Sequence, residues 1–186
     1  MNDIRIEPGD DLRAVVFKVC TALMRGGVKV VLTGGSAASI YAPEVYQSRD
    51  ADFLTYAMKS PSNLMTVLSG LGFEQSGGFF IHTAVPTTLD FLGEEIRIGS
   101  DVVERYETLE EDGLTLYILT PTDCVRDRLA SFFWFNDRSA LVAACGVSAA
   151  RSRDVDLAEI AEWAEREGET AKYQEFLDRL ARYESG

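Results

Sequence analysis

The chain has 186 residues, 46% hydrophobic and 26% charged, and its 18 Lys and Arg stand against 30 Asp and Glu for a formal net charge of -12. That usage is ordinary for a folded globular chain and excludes the low-hydrophobicity signature of disorder; the length holds one domain with a sizeable core, or one domain and a helical appendage. An overall field of this sign disfavours sequence-independent binding to long nucleic acid or an anionic membrane, but leaves room for a small anion in a local pocket.

Asp10 or Asp11 can N-cap a first helix whose apolar positions Leu12, Val15, Val16, Val19 and Leu23 follow the three-four spacing, with Gly26-Gly27 to end it. Val28 to Leu32 reads as a strand, Thr33-Gly34-Gly35-Ser36 as a turn at its end, and Ala37 to Tyr41 as a short helix halted by Pro43. A second strand is expected at Asp50 to Thr55 and a helix from Ser62 to Leu71, closed by Gly72. Short strands follow at Phe79–Thr83, Thr87–Phe91, Ile96–Ile98 and Leu114–Leu119, and the acid-rich connection from Asp101 to Asp112 reads as a solvated loop or edge. Thr120-Pro121-Thr122-Asp123 is a helix start, with threonine at the N-cap, proline at the first helical position and an acid in the first turn. From there the chain reads as helices over 121–135, 139–148, 155–166 and 170–183. The expectation is an α+β part over residues 1–120, a mixed sheet flanked by helices, with a helical region over 121–186 packed on it.

Three scattered cysteines, Cys20, Cys124 and Cys145, never in C-x-x-C spacing, argue against a disulfide framework or a zinc site and read as small buried hydrophobes. The single histidine, His82, sits in a strand-like alternation and reads as a half-exposed strand position; one histidine excludes multi-histidine metal sites. Met1 to Arg5 lacks a basic region followed by an apolar core and no later apolar run spans a bilayer, so a cytoplasmic location without membrane contact is expected.

Asp50 and Asp52 are two apart on the second strand, so both carboxylates leave one face. Like charges at that separation repel unless a cation lies between them, and oxygen-only ligands suit Mg²⁺ or Mn²⁺. Taken alone, D-x-D would be a solvated edge strand. What precedes it changes the reading: Gly34 and Gly35 let the backbone turn tightly and approach a ligand, and Ser36 can cap the following helix, whose first amides favour an anion. This combination suits a triphosphate whose charge a metal shares. No P-loop and no G-x-G-x-x-G opening a helix is present.

Val31-Leu32-Thr33-Gly34-Gly35-Ser36-Ala37 with Ser48-Arg49-Asp50-Ala51-Asp52-Phe53 resembles the signature of the DNA polymerase β-like nucleotidyltransferase superfamily. There a G-[GS] turn is followed by a D-x-[DE] pair and a third acid from a later strand, which Asp90 in Thr87-Thr88-Leu89-Asp90-Phe91 supplies. An acid in an otherwise apolar strand is costly without a partner, and a shared metal gives it one. The flavour, G-G-S-A, then R-D-x-D, then a helical tail opening with T-P-x-D, is similar to small bacterial nucleotidyltransferase-like proteins near the abortive-infection and toxin-antitoxin group. The resemblance implies transfer of a nucleoside monophosphate from an NTP to a hydroxyl on an RNA end, a protein or a small molecule. It also implies that Asp50 and Asp52 hold two Mg²⁺ (or Mn²⁺) ions, that Asp90 ligates the catalytic one and helps deprotonate the acceptor, and that Gly34, Gly35 and Ser36 cradle the β- and γ-phosphates.

The triphosphate also needs cations, and no lysine lies between Lys29 and Lys59. The locally basic stretch from Pro121 to Arg153 offers Arg126 and Arg128, and Arg49 adjoins the acid pair; pairing with neighbouring acids is the competing role for all of them. Arg128, Ser131 and Phe135 share a helical face, and the aromatic run Phe132-Phe133-Trp134-Phe135 serves either core or base stacking. The rival to the enzyme is an inactive relative that keeps the fold as a nucleotide sensor or as a binding module for a cognate partner protein.

Overall fold

The computed structural model describes residues 4–56, 61–93 and 95–184. Helix α1 (Leu12–Arg25) starts where the Asp11 carboxylate accepts the Ala14 N–H at 2.8 Å and ends at Gly26, burying Val15, Val16, Val19 and Leu23 as its spacing predicts. Strand β1 (Lys29–Thr33) is buried from Val30 onward and passes without a loop into α2 (Gly34–Tyr41). The expected four-residue turn is therefore shorter than predicted: Gly34, at φ +66°, makes the strand-to-helix switch by itself. Ser36 lies inside the first turn of α2, and its hydroxyl donates to the Thr33 carbonyl at 2.7 Å instead of capping the helix from outside.

Strand β2 (Asp50–Tyr56) and helix α3 (Pro61–Gly70) follow as predicted, then β3 (Glu74–Ser76), β4 (Phe79–His82), β5 (Val85–Leu92) and the hairpin β6 (Ile96–Ile98) with β7 (Asp101–Val103). The acid-rich connection is more ordered than a loop: β7 lies within it, and β8 (Tyr106–Glu111) pairs along its whole length with β9 (Leu114–Leu119). β8 closes one edge of the sheet, where outward glutamates face solvent and deter pairing with another chain.

The main sheet has seven strands in the order β3-β4-β5-β2-β1-β9-β8, antiparallel throughout except for the parallel pairs β2–β5 and β1–β9. The tail forms α4 (Pro121–Phe135), α5 (Arg138–Ala150), α6 (Leu157–Arg166) and α7 (Thr170–Glu184). Thr120 caps α4 as expected, accepting the Asp123 N–H at 3.2 Å. α1 packs on β1 and β9; α2 packs on β1 and β2 and is covered by α4 and α5. One hydrophobic core runs from Ile6 through the sheet to Phe132, Phe133, Trp163 and Leu180, so the helical tail is built on the same interior as the strands. Within it Phe133 and Trp163 stack at 5.3 Å. Cys20, Cys124 and Cys145 are buried free thiols, and burial pushes Cys20 and Cys145 up to about 11, which keeps them protonated and inert at neutral pH. His82 is half-buried on β4, its Nδ1 accepting the Ala84 N–H at 3.0 Å. Among the described residues no helix is long and apolar enough to cross a membrane.

Candidate functional site

Backbone register brings the three predicted acids to one face. β2 and β5 run parallel with Asp50 opposite Thr88 and Asp52 opposite Asp90, so Asp50, Asp52, Thr88 and Asp90 all leave the sheet on the same side. The alternate residues face inward: Ala51, Phe53 and Leu89 are fully buried, and Phe53 stacks on Phe91 at 5.6 Å. Hydrophobic alternation therefore fixes which way the acids point, because a one-residue slip would bury three carboxylates and expose the phenylalanines.

Asp52 is the centre of this face. β1 ends beside it, with Thr33 as its cross-strand partner, and α2 begins immediately afterwards. Gly34 lies against the carboxylate so closely that a Cβ there would overlap Oδ2 and stand 3.1 Å from Cγ. Both the positive φ and this close approach demand glycine. Gly35 lies under the Tyr46 hydroxyl, which a Cβ would meet at 2.9 Å. Ser36 is fully buried, and its Oγ accepts the Asp52 N–H at 3.2 Å while donating to Thr33. The serine thus fastens the first turn of α2 to β2. Its hydroxyl is spent on that joint, a correction to its reading as a phosphate ligand, and what α2 presents at this end is backbone.

The three acids are in unequal environments. Burial pushes the Asp52 carboxyl up to about 6; Arg128 pulls it back down, and the charges of Asp90, Asp127 and Asp50 add to the rise. Asp50 is exposed and its Oδ1 accepts the Thr88 hydroxyl at 2.5 Å. Asp90 is partly buried next to Asp52. Oxygen-only donors grouped in a partly buried setting that disfavours their negative charge are chemically matched to a hard divalent cation. Asp52 and Asp90, opposite each other, are the pair that can hold one, and Asp50 can join by giving up Thr88. In the side-chain positions adopted here, no three His, Cys, Asp or Glu side chains among the described residues converge closely enough to bind a metal.

The arginines divide sharply. Arg128, on α4, is the one whose charge reaches Asp52; its Nη2 binds Asp127 at 2.7 Å. Burial pulls its own pKa down, and Asp127 more than restores it, so the guanidinium stays charged. Arg126, two residues earlier, faces elsewhere. It is 4% exposed, binds Asp123 at 2.9 Å and also Asp101, and lies over the Trp163 ring at 5.2 Å from its centroid. A network of Arg105, Arg126 and Arg166 with Asp101, Asp123 and Glu159 joins β7, α4 and α6, lines, except for Arg166, a cavity of about 560 Å³, and leaves Arg126 Nε buried without a hydrogen-bond partner. Arg126 is thus a structural ion-pair residue and not a cation of the acidic face, which corrects its assignment to phosphate. Arg49 is exposed and lines a cavity of about 550 Å³ with Leu12, Ile40, Pro43, Gln47 and Pro86; none of the three acids lines it. It lies one position before the first residue of β2.

Two participants escaped sequence reasoning. Thr88 holds Asp50, and its only signal is its place two residues before Asp90 on the same strand face. Asp127 pairs Arg128 and is not marked by spacing. Tyr46, which flanks the motif strands in the sequence, overlies Gly35. Of the aromatic run, Phe132 and Phe133 are core while Phe135, on the helical face of Arg128 and Ser131, is 82% exposed.

No protein-family model matches the chain, and no curated protein matches it in sequence. Among solved structures, the fold is similar to that of an antigenic nucleotidyltransferase-like protein from Paracoccidioides brasiliensis, at a TM-score of 0.56 and 13% identity, over 90% of this chain and 93% of that one. At that identity the likeness is one of fold: an α+β, nucleotidyltransferase-like mixed sheet flanked by helices.

Proposed function

We propose that the protein is a divalent-metal-dependent nucleotidyltransferase that moves a nucleoside monophosphate from an NTP to a hydroxyl acceptor. The observation that carries this reading is the juxtaposition of the Asp52–Asp90 cross-strand pair with the glycine-opened start of α2. A carboxylate pair beside backbone amides at a helix N-terminus suits a polyphosphate bound together with a cation. Asp52 and Asp90, joined by Asp50, would hold Mg²⁺ or Mn²⁺, which when bound supplies charge neutralisation and polarises the reacting phosphate.

The chain's own residues then have distinct tasks. The Gly34 and Gly35 backbone receives the β- and γ-phosphates. Arg128, kept charged by Asp127, neutralises the pyrophosphate that departs. Phe135, seven positions from Arg128 and so about 10 Å along the same helix face, offers its exposed ring to the base. Asp90 accepts the acceptor's proton. Of the arginines read from the sequence, Arg128 is assigned the phosphate role here because its charge reaches Asp52.

Two observations favour a second reading, a nucleotide sensor without transfer: Arg128 already compensates part of the Asp52 charge, and among the described residues no three acidic side chains converge. Label transfer separates the two. Protein incubated with each α-³²P-labelled NTP, Mg²⁺ or Mn²⁺ and a mixture of RNA and protein should label an acceptor, and Asp52→Asn should label none. Thermal stabilisation by NTP and metal without label transfer identifies the sensor. If neither ligand moves the melting temperature, both readings fail.

A further inference from the structure

We infer that the acceptor is a polypeptide segment carrying a hydroxyl with apolar neighbours, docked on the sheet face next to Asp90; this rests on the nucleotidyltransferase reading and adds the acceptor class to it. On β5 the residues alternating with buried Leu89 are Thr88, Asp90 and Leu92, and Leu92 is 44% exposed. β4 pairs antiparallel with β5 through Phe80 and Leu89, both turned to the core, which sends Phe79 and Ile81 out on the face that carries Asp90. Phe79 is 50% and Ile81 43% exposed. The solvated face of an antiparallel pair ordinarily carries polar side chains, so three large apolar residues on it, flanking a carboxylate, mark a recognition surface.

Direction supports the assignment. The α2 start lies on the β1 side of Asp52, whereas Asp90, Phe79 and Ile81 lie on the opposite side, along β5 and β4. In-line displacement needs the attacking oxygen opposite the leaving group. With pyrophosphate leaving over Gly34 and Gly35, the acceptor comes in over Asp90 from this shelf. The hydroxyl oxygen forms a bond to the α-phosphorus, the bond from that phosphorus to the bridging oxygen breaks, pyrophosphate leaves with the electron pair, and the hydroxyl proton passes to Asp90.

Charge selects the class of acceptor. Among the described residues of β3 to β5, the ionisable side chains turned to this face are acidic, Glu74 opposite Ile81 and Asp90 on β5, while Arg128, which reaches Asp52, is already paired with Asp127. A nucleic-acid backbone would meet repulsion here as well as from the net charge of -12. A neutral or basic peptide meets apolar contact and acidic complementarity.

The test uses fluorescent peptides with a central Ser, Thr or Tyr flanked by Leu and Lys, the same peptides flanked by Gly and Asp, and a short single-stranded RNA with a free 3′-hydroxyl. Anisotropy reads binding without NTP, and α-³²P transfer reads the reaction. The Leu/Lys peptides should bind and be labelled, and the Phe79→Ser, Ile81→Ser double variant should bind them about tenfold more weakly with its NTP-and-metal melting shift unchanged. Leu92→Ser, on the other strand, should weaken binding in the same direction. Preferential labelling of the RNA, equal binding of the Gly/Asp peptides, no binding of any peptide, or wild-type binding by the serine variants would each overturn the inference. Peptide binding without any NTP shift would retain the surface and refute the nucleotidyltransferase reading instead.

Discussion

Two charge clusters share helix α4 and behave in opposite ways. Arg126 sits in a network with two further arginines and three acids, in which Asp123 is fully buried and every acid has a guanidinium partner. Arg128, a little over half a helical turn away, meets a face on which Asp50, Asp52, Asp90 and Asp127 outnumber it. In the first cluster each acid is matched by a guanidinium, although Arg126 Nε is buried without a hydrogen-bond partner. In the second, burial first and neighbouring acids after it push the Asp52 carboxyl up to about 6, a cost that binding of a cation would relieve. Buried charge by itself therefore does not mark a site; charge that the protein leaves uncompensated does.

The comparison can be broken at its closed side first. Arg126→Ala leaves Asp123 buried and deprives Asp101 of a partner, and should cost about 3–5 kcal/mol, read as a large fall in the denaturant midpoint with an unchanged slope. If Arg126 were instead a ligand contact, the variant would keep its stability and lose nucleotide binding. Gly34→Ala comes next, combining a strained positive φ with overlap on the Asp52 carboxylate. It should destabilise by about 2 kcal/mol and abolish the NTP-dependent melting shift.

Asp52 sharpens the open side. Its folded pKa, about 6, lies above the ordinary carboxylate value of 3.8, so the folded state binds the proton more tightly than the unfolded one. Asp52 should therefore contribute a loss of stability as pH rises from about 4 to 7. Asp52→Asn removes that dependence and should be more stable than wild type at pH 7 by about 1 kcal/mol, discounted for solvent screening, with the gain vanishing near pH 4. Urea melts at the two pH values check the sign. The smallest effect on stability belongs to Phe135→Ser, expected within about 0.5 kcal/mol of wild type because the ring is solvent-exposed, while the apparent NTP affinity falls several-fold.

Much of the acidic face is legible in the sequence. Two carboxylates two apart and a third in another apolar strand reveal a shared face because strand alternation is local, and Gly34-Gly35 reports a close approach because only backbone chemistry explains it. Helix α4 was equally legible in extent, from its Thr120 cap onward. What a single sequence withholds is the rotational phase of α4 against the sheet: Arg126 and Arg128 look alike until packing of Phe132, Phe133 and Trp163 fixes which side faces inward. Ser36 misleads for a related reason, since the Asp52 N–H that engages its hydroxyl lies sixteen residues away. Strands β7 and β8 were obscured by their acids, which an edge or a hairpin tolerates and a central strand would not.

The most direct measurement is the melting temperature of the wild type, Asp52→Asn and Asp90→Asn at pH 7, each with Mn²⁺, with NTP and with both together. The account predicts a rise of several degrees in the wild type when both are present, lost in each variant, with Asp52→Asn starting higher than wild type in the absence of ligands. Equal shifts in all three proteins would contradict it, because the Asp52–Asp90 pair would then have no part in holding the metal and the nucleotide.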